Sequence, residues 1–314
     1  MIDFRYHLVS LIAVFLAVAL GIVIGTTALN EPIQADIEGQ VTDLERDKRD
    51  LEDRTQQLQA QVNTADSFAD AVGPTLVEGT LAGSSVLLVV TDEEVAPETI
   101  EDVGTLIGDA GGTVSGTLRL QPEYSDPSTS TSLQNYVTGA GTPAGIQLPE
   151  TDDAGQLVAS LLAQVLMIPP DGAQPPAAAL STVLGGLEAL NVVAQETAVA
   201  PADYALVLAT VAFDDDDAEE RSSTVAELVA ALDAAGSGAV VAGDSGATGA
   251  TGLVGVVRAD PALSSTVSTV DNVATSAGQV SAVLALAGED EGVSGQYGTG
   301  EDAQPVPPVP SVAP

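Results

Sequence analysis

From Leu8 to Ala28 the chain reads "LVSLIAVFLAVALGIVIGTTA", 21 residues without a charge, and none follows until Glu31. Wound as a helix, such a run is about 31 Å long, enough to cross a hydrocarbon core. A secretory signal has a shorter apolar region of roughly 7–15 residues and a small-x-small cleavage site. Thr26-Thr27-Ala28 followed by Leu29-Asn30 is a poor cleavage motif, so the run predicts a retained transmembrane helix over residues 8–29. A cleaved signal is the alternative, because a short leading segment with one Arg suits either. Arg5 and His7 precede the span, whereas Glu31, Asp36 and Glu38 follow it. The positive-inside bias leaves residues 1–7 in the cytoplasm and the bulk of the chain outside the cell membrane, in the envelope.

The charge balance fits that placement. A net charge of −37 excludes unspecific nucleic-acid binding, which needs basic residues to displace phosphate counterions. Four of the eight basic residues, Arg46, Lys48, Arg49 and Arg54, fall in one nine-residue stretch. Beyond it only Arg119, Arg221 and Arg258 remain, so the body repels anionic surfaces and concentrates cations. Without Cys there are no disulfides, and with 3% aromatics and no Trp the core must be built from Ala, Val and Leu.

Two features point to a parallel homodimer. Ala13, Ala17, Gly21 and Gly25 recur at four-residue spacing and end in a GxxxG, a stripe that lets two backbones approach in lipid. Pro32 is expected to interrupt the helix. Over 33–65 a heptad then places Ile37, Leu44, Leu51 and Leu58 at d, with Val41, Lys48, Thr55 and Val62 at a. Leu at d with polar residues at some a positions is the pattern of a parallel two-stranded coiled coil. A single amphipathic helix folding back on the body is the alternative.

After a joint at 63–80, where Gly73-Pro74 is expected to break the helix, strands and helices alternate. Val86–Val90 is a wholly apolar run of the buried-strand kind. Pro97 opens a helix with Ile100, Val103, Leu106 and Ile107 on one face, and Thr113–Leu120 reads as the next strand. Strand, helix and strand within some 35 residues make a right-handed βαβ unit and so a parallel sheet. Further on, helices are expected at 128–138, 157–166, 177–190, 223–235 and 279–287, and strands at 205–211, 239–242 and 266–270. The fold class is therefore α/β: a single transmembrane helix and coiled coil, then a doubly wound, mostly parallel (Rossmann-like) domain over 80–287. Residues 288–314, Gly, acid and Pro ending in "PVPPVPSVAP", read as a disordered tail.

Few residues suggest chemistry. "GDSGATGATG" (243–252) follows a strand but lacks the Lys of a phosphate-binding loop and G-x-G-x-x-G spacing, and Asp244 would face the phosphates. Asp214–Asp217 with Glu219 and Glu220 lack the Gly and distal Glu of a calcium loop, and suit the start of a solvated helix. The one His, His7, lies before the span, so no His-based triad or metalloenzyme can form in the body. No catalytic residue and no certain cofactor is predicted.

The opening "MIDFRYHLVSLIAVFLAVALGIVIGTTAL", the coil after it and the C-terminal "STVSTVDN…GQVSAVLALAG…GQYGTG" resemble the actinobacterial copper-transport family called MctB. The resemblance runs end to end, and Tyr297–Gly300 is its more specific motif. It implies a membrane-attached envelope protein described as a copper exporter or outer-membrane channel, with a role in copper efflux or homeostasis and a copper ion as cargo. Relatives also resemble envelope receptors, which implies an alternative: a non-catalytic dimeric scaffold coupling a cytoplasmic partner to cell-wall hydrolases, with a further envelope protein as partner. Copper prefers thiolate, thioether and imidazole ligands. The chain offers no Cys, two Met and one His, so Met1 and His7 are the weak candidate ligands and Met167 reads as core. One span makes no helical pore, and few short strands make no β-barrel.

Overall fold

The computed structural model describes residues 4–139, 141–289 and 291–308, and for 26–38 the backbone alone. The chain forms two compact units, residues 1–64 and 65–314. The first consists of helix α1, Phe4–Val77, whose last turns belong to the second. Its segment Phe4–Gly25 is long and apolar enough to cross a membrane. That window starts four residues before the predicted span.

Neither expected break occurs. The backbone stays helical through Pro32 and through Gly73-Pro74, and ends only after Val77. A proline removes one intrahelical bond at a cost of about 3 kcal/mol, which long-range packing can offset. At Gly73 that packing is visible. A Cβ there would lie 2.7 Å from Val280 Cγ2, so the helix sits closer to its neighbour than a larger residue would allow without a shift of Val280. Four residues on, Val77 is fully buried. Asp66 also ties this segment down, its Oδ1 accepting the Ser276 N–H at 2.7 Å.

The second unit is built on a seven-stranded sheet: β1 (Ser85–Val90), β2 (Thr113–Leu120), β3 (Val193–Gln195), β4 (Tyr204–Ala209), β5 (Ala239–Gly243), β6 (Ser268–Val270) and β7 (Gln296–Tyr297). Their order is β3-β2-β1-β4-β5-β6-β7, all neighbours parallel except β3, which runs antiparallel to β2. The chain builds outward from β1 to β2, passes through three helices to β3 at the edge, and then crosses back to place β4 on the other side of β1. Strand order reverses there.

Strands flanked by parallel neighbours and helices are buried on both faces, and their sequences read as continuous apolar runs. SVLLVV, YALVLA and AVVAG do so, and Val86–Val90, Tyr204–Ala209 and Ala239–Gly243 are all buried. One face carries Leu87, Val89, Ala205, Val207 and Val241 against α4 (Ala154–Leu166), α5 (Ala177–Ala189), α6 (Ala218–Ala235) and α7 (Leu253–Ala259). Beside α4 on this face lies α3 (Ser130–Thr138). The opposite face carries Val86, Leu88, Leu206, Leu208 and Val240 against α2 (Pro97–Asp109), α8 (Ser276–Glu289) and Val77.

The C-terminal segment departs from its compositional reading. Residues 288–289 complete α8, and β7 pairs in register with β6, Thr269 with Gln296 and Val270 with Tyr297. Tyr297 is buried. Two residues of strand carry no periodicity for a sequence pattern to reveal. Residues 309–314 of the predicted tail lie outside the described residues.

Replacing Gly73 by Val forces a side chain into Val280 and should cost about 1–3 kcal/mol, the usual penalty of overpacking. Urea unfolding of the variant beside the parent protein checks this through a lowered midpoint with an unchanged slope.

Candidate functional site

Ligands of open parallel sheets bind beyond the carboxyl ends of the strands, where the strand order reverses. Here the loops after β1, β2 and β4 enclose a cavity of about 280 Å³, lined by Asp92, Tyr124, Ser125, Phe213, Asp215 and Arg221 among others. Asp92 fixes its rim. Oδ1 accepts the Val95 N–H at 3.1 Å and the Thr210 hydroxyl at 2.8 Å, and Oδ2 accepts the Thr210 N–H at 2.9 Å. Arg119, at the end of β2, donates to the Asp92 carbonyl at 2.6 Å and to Glu196 at 2.6 Å, which fastens β2 to its edge. Arg221 lies over the Phe213 ring, 4.4 Å from its centroid, pairs with Asp215 and donates to Ser125 Oγ at 3.2 Å.

Tyr124 and Ser125 also form one wall of a second cavity, about 300 Å³, whose acids are Asp126, Asp153, Glu220 and Glu227. Both lobes are acidic, and only the first holds an arginine. The Asp214–Asp217 row is thus more than a solvated helix start. Asp215 engages Arg221, while Glu219 and Glu220 fill the first turn of α6. The loop after β5 is a short 3-10 turn, Ser245–Thr248, leading to α7, and Asp244 Oδ1 accepts the Ala274 N–H at 3.0 Å.

At the far edge of the sheet the C-terminal motifs meet. Asp271 follows β6 and its side chain is 2% exposed. It accepts the N–H groups of Thr299 at 2.6 Å and Gly300 at 3.1 Å, and Arg258 Nη1 at 2.8 Å. Arg258 goes on to Thr269 Oγ1 and the Tyr297 carbonyl, both at 2.9 Å. At Gly298, φ is +126°, and a Cβ would collide with Asp271 Oδ1. The "YGTG" turn is therefore shaped around one carboxylate. Burial raises the Asp271 pKa, but the Thr299 N–H, the Arg258 guanidinium and the Gly300 N–H outweigh it and hold the group below its ordinary value. Glu289 goes the other way. Burial first, and then the charge of Asp233, push it up to about 7 against its bonds to Ser268.

The residues singled out from sequence lie on α1. Ala13, Ala17, Gly21 and Gly25 follow one another along a continuous helix, with open space where side chains on Gly21 and Gly25 would stand. Leu44, Leu51 and Leu58 are 69%, 62% and 60% exposed along the same helix. His7 is exposed, and Met1, its partner in the weak copper pair, lies outside the described residues. Met167 ends α4 and is 1% exposed. Among the described residues no three His, Asp or Glu side chains are grouped to hold a metal ion. Tyr124, Asp153, Arg221, Glu227 and Asp271 were not distinguishable among 45 acids and a scatter of polar residues. Only "STVDN" and "YGTG" signalled one of them.

An α/β body with an acidic cleft at the strand reversal, following one apolar helix of membrane-spanning length, defines the class of protein. Over residues 1–308 the chain matches the family described as "Copper transport outer membrane protein, MctB". It is 32% identical to Copper transporter MctB of Mycobacterium tuberculosis over 315 residues, 98% of this chain and 99% of that protein. To Copper transporter MctB of Mycobacterium leprae it is 33% identical over 312 residues, 96% and 98% of the two chains. The chain belongs to the MctB family.

The Asp271 lock and Glu289 predict opposite pH effects. A depressed carboxyl stabilises the fold above its unfolded pKa and loses that contribution as pH falls through the folded value. Asp271→Asn should cost about 3–5 kcal/mol at neutral pH, because it leaves Arg258 without its buried partner. A raised carboxyl binds its proton more tightly in the native state, so stability falls as pH climbs between about 4.5 and about 7. Glu289→Gln should flatten that decline, read as thermal midpoints across the same pH range.

Proposed function

We propose that this chain serves copper homeostasis as a single-pass envelope protein, with a cytoplasmic N-terminus and an extracytoplasmic, Rossmann-like body. The observation that carries this reading is the family match over residues 1–308, joined to the apolar helix at Phe4–Gly25. Orientation rests on Arg5 before the span and the acids after it. The copper role is indirect. Cu(I) takes thiolate, thioether or imidazole ligands. The body has no Cys or His, and its one Met, Met167, is sealed in the core. Copper would meet only carboxylates there, which attract cations without selecting this one.

The chain acts instead as a non-catalytic, dimeric scaffold, the cleft of its body and its cytoplasmic N-terminus engaging partners on the two sides of the membrane. Exposed Leu44, Leu51 and Leu58 at heptad spacing favour this second element, since leucines left in water on a long helix gain by pairing with a second copy. The small-residue stripe from Ala13 to Gly25 would continue the same seam in lipid.

Because the chain has no Cys, a single introduced one reports directly on pairing. Leu51→Cys, at d, should form an intermolecular disulfide in membranes, whereas Asp53→Cys on the outer face should not. Equal crosslinking at both, or none at either, would remove the parallel dimer. Deleting the gene should change cell-associated copper and copper tolerance, with the full chain restoring both. Titration of the full chain with Cu(I) should show no stoichiometric site tighter than about 1 μM. A tight site would make the protein a direct carrier.

A further inference from the structure

The last turns of α1 carry a wider apolar face than the rest of the body covers. Going round the helix at about 100° per residue, Phe68, Val72, Leu76, Ala69, Gly73 and Val77 follow one another at intervals of roughly 20–40°. Together they make an arc of about 180°, whereas a helix packed on one core shows an apolar stripe of roughly 100° or somewhat more. At one end of the arc Gly73 and Val77 are buried, and Val77 packs in the core. Ala69 and Val72 are half-buried, Leu76 is 41% exposed and Phe68, at the other end, 68%. Covering an aromatic ring of this size removes about 150–250 Å² from water.

Register shows what fits the uncovered half. Ala65 and Val72 fall at d and Ala69 and Leu76 at a, continuing Leu44, Leu51 and Leu58 without a skip, and Phe68 takes the flanking g position. Because the helix runs unbroken through Gly73-Pro74, this seam is continuous with the heptads before it. From Thr55 to Leu76 no a, d or g position carries a charge, in a chain with 45 acids. Asp66 and Asp70 lie at other positions, and Asp66 is engaged by the Ser276 N–H.

In a parallel coil a g side chain lies beside the e position of the next heptad on the other helix. For Phe68 that position is Gly73 of a second copy, which offers bare backbone. Gly73 is also where α8 closes on α1, since a Cβ there would lie 2.7 Å from Val280 Cγ2. Two-fold symmetry leads to the same contact. With sheet and helices held on the e side of each α1, the two bodies fall on opposite sides of the helix pair. The g side of either helix then faces the body of the other copy.

We propose that the dimer seam continues to Leu76, and that Phe68 of each copy packs beside Gly73 of the other, against the start of that copy's α8. The proposal rests on the parallel pairing of α1 and adds to it a contact between each helix and the opposite body.

The test uses single cysteines in the full chain in membranes, with Leu51→Cys reporting on pairing itself. Leu76→Cys should form an intermolecular disulfide as Leu51→Cys does, whereas Ala71→Cys, outside the arc, should not. A disulfide at Leu51→Cys with Leu76→Cys no better than Ala71→Cys would end the seam short of the body, overturning the proposal and leaving the dimer. No disulfide at Leu51→Cys would remove both. By sedimentation of the full chain in detergent, Phe68→Ala should raise the dimer dissociation constant about tenfold or more. Its thermal midpoint at concentrations that favour single copies should match the parent's, because Phe68 stands in water there. An unchanged dissociation constant would overturn the Phe68 contact. A benzophenone maleimide on Phe68→Cys should give, on irradiation, a product of twice the chain's mass. Adducts of other masses alone would assign this face to a different protein and overturn the pairing.

Discussion

Strands that are apolar on both faces cannot leave either one in water, and the rest of the body follows from that requirement. Val86–Val90 alone has buried side chains on both sides, so helices must close over each. With 3% aromatics, closure is achieved by many small side chains and close backbone approach rather than by a few large rings. Gly73 shows the consequence. A helix that could have ended at Gly-Pro continues, because its last turns, through Val77, are needed to cover β1 and pack against α8. Apolar burial at roughly 25 cal/mol per Å² outweighs one lost intrahelical bond over such a contact.

A body this acidic could be expected to fall apart through self-repulsion, and its three arginines show how the charge is managed. Each sits beside a carboxylate at a sheet edge or loop, Arg119 with Glu196, Arg221 with Asp215, Arg258 with Asp271. Each also donates to another part of the chain, respectively the Asp92 carbonyl, the Ser125 hydroxyl and the Tyr297 carbonyl. They act as staples between segments distant in sequence. Of the remaining acids many are left to solvent or gathered in the cleft, where their field attracts cations, while a few such as Asp203 and Glu289 bond to the chain at the sheet.

Much of the fold was legible because its core elements carry strong patterns. Thr113–Leu120 and the helix opened by Pro97 stand where periodicity and the proline place them. What was not legible depends on partners far along the chain. Val193–Gln195 and Gln296–Tyr297 are strands by virtue of the neighbours they pair with, and Pro32 and Pro74 read as breaks to any local rule. The site fared worse for the same reason. Asp153, Glu227 and Tyr124 are far apart in sequence, and an acid is uninformative in a chain with 45 of them until folding brings two to one cavity. The YGTG motif was visible, but its meaning was not, since the turn is explained only by the carboxylate of Asp271 that it wraps.

That contrast bears on what the family description can mean in physical terms. A transporter that moves a soft cation through itself must present soft donors along a path. Here the one Met of the body is buried in the core, and the exposed donors are carboxylates. The conspicuous constructed features are of another kind: a cleft whose rim is tied by Asp92, an arginine held over a ring, a carboxylate wrapped by the YGTG turn. They sit on a body joined in sequence to an apolar helix of membrane-spanning length.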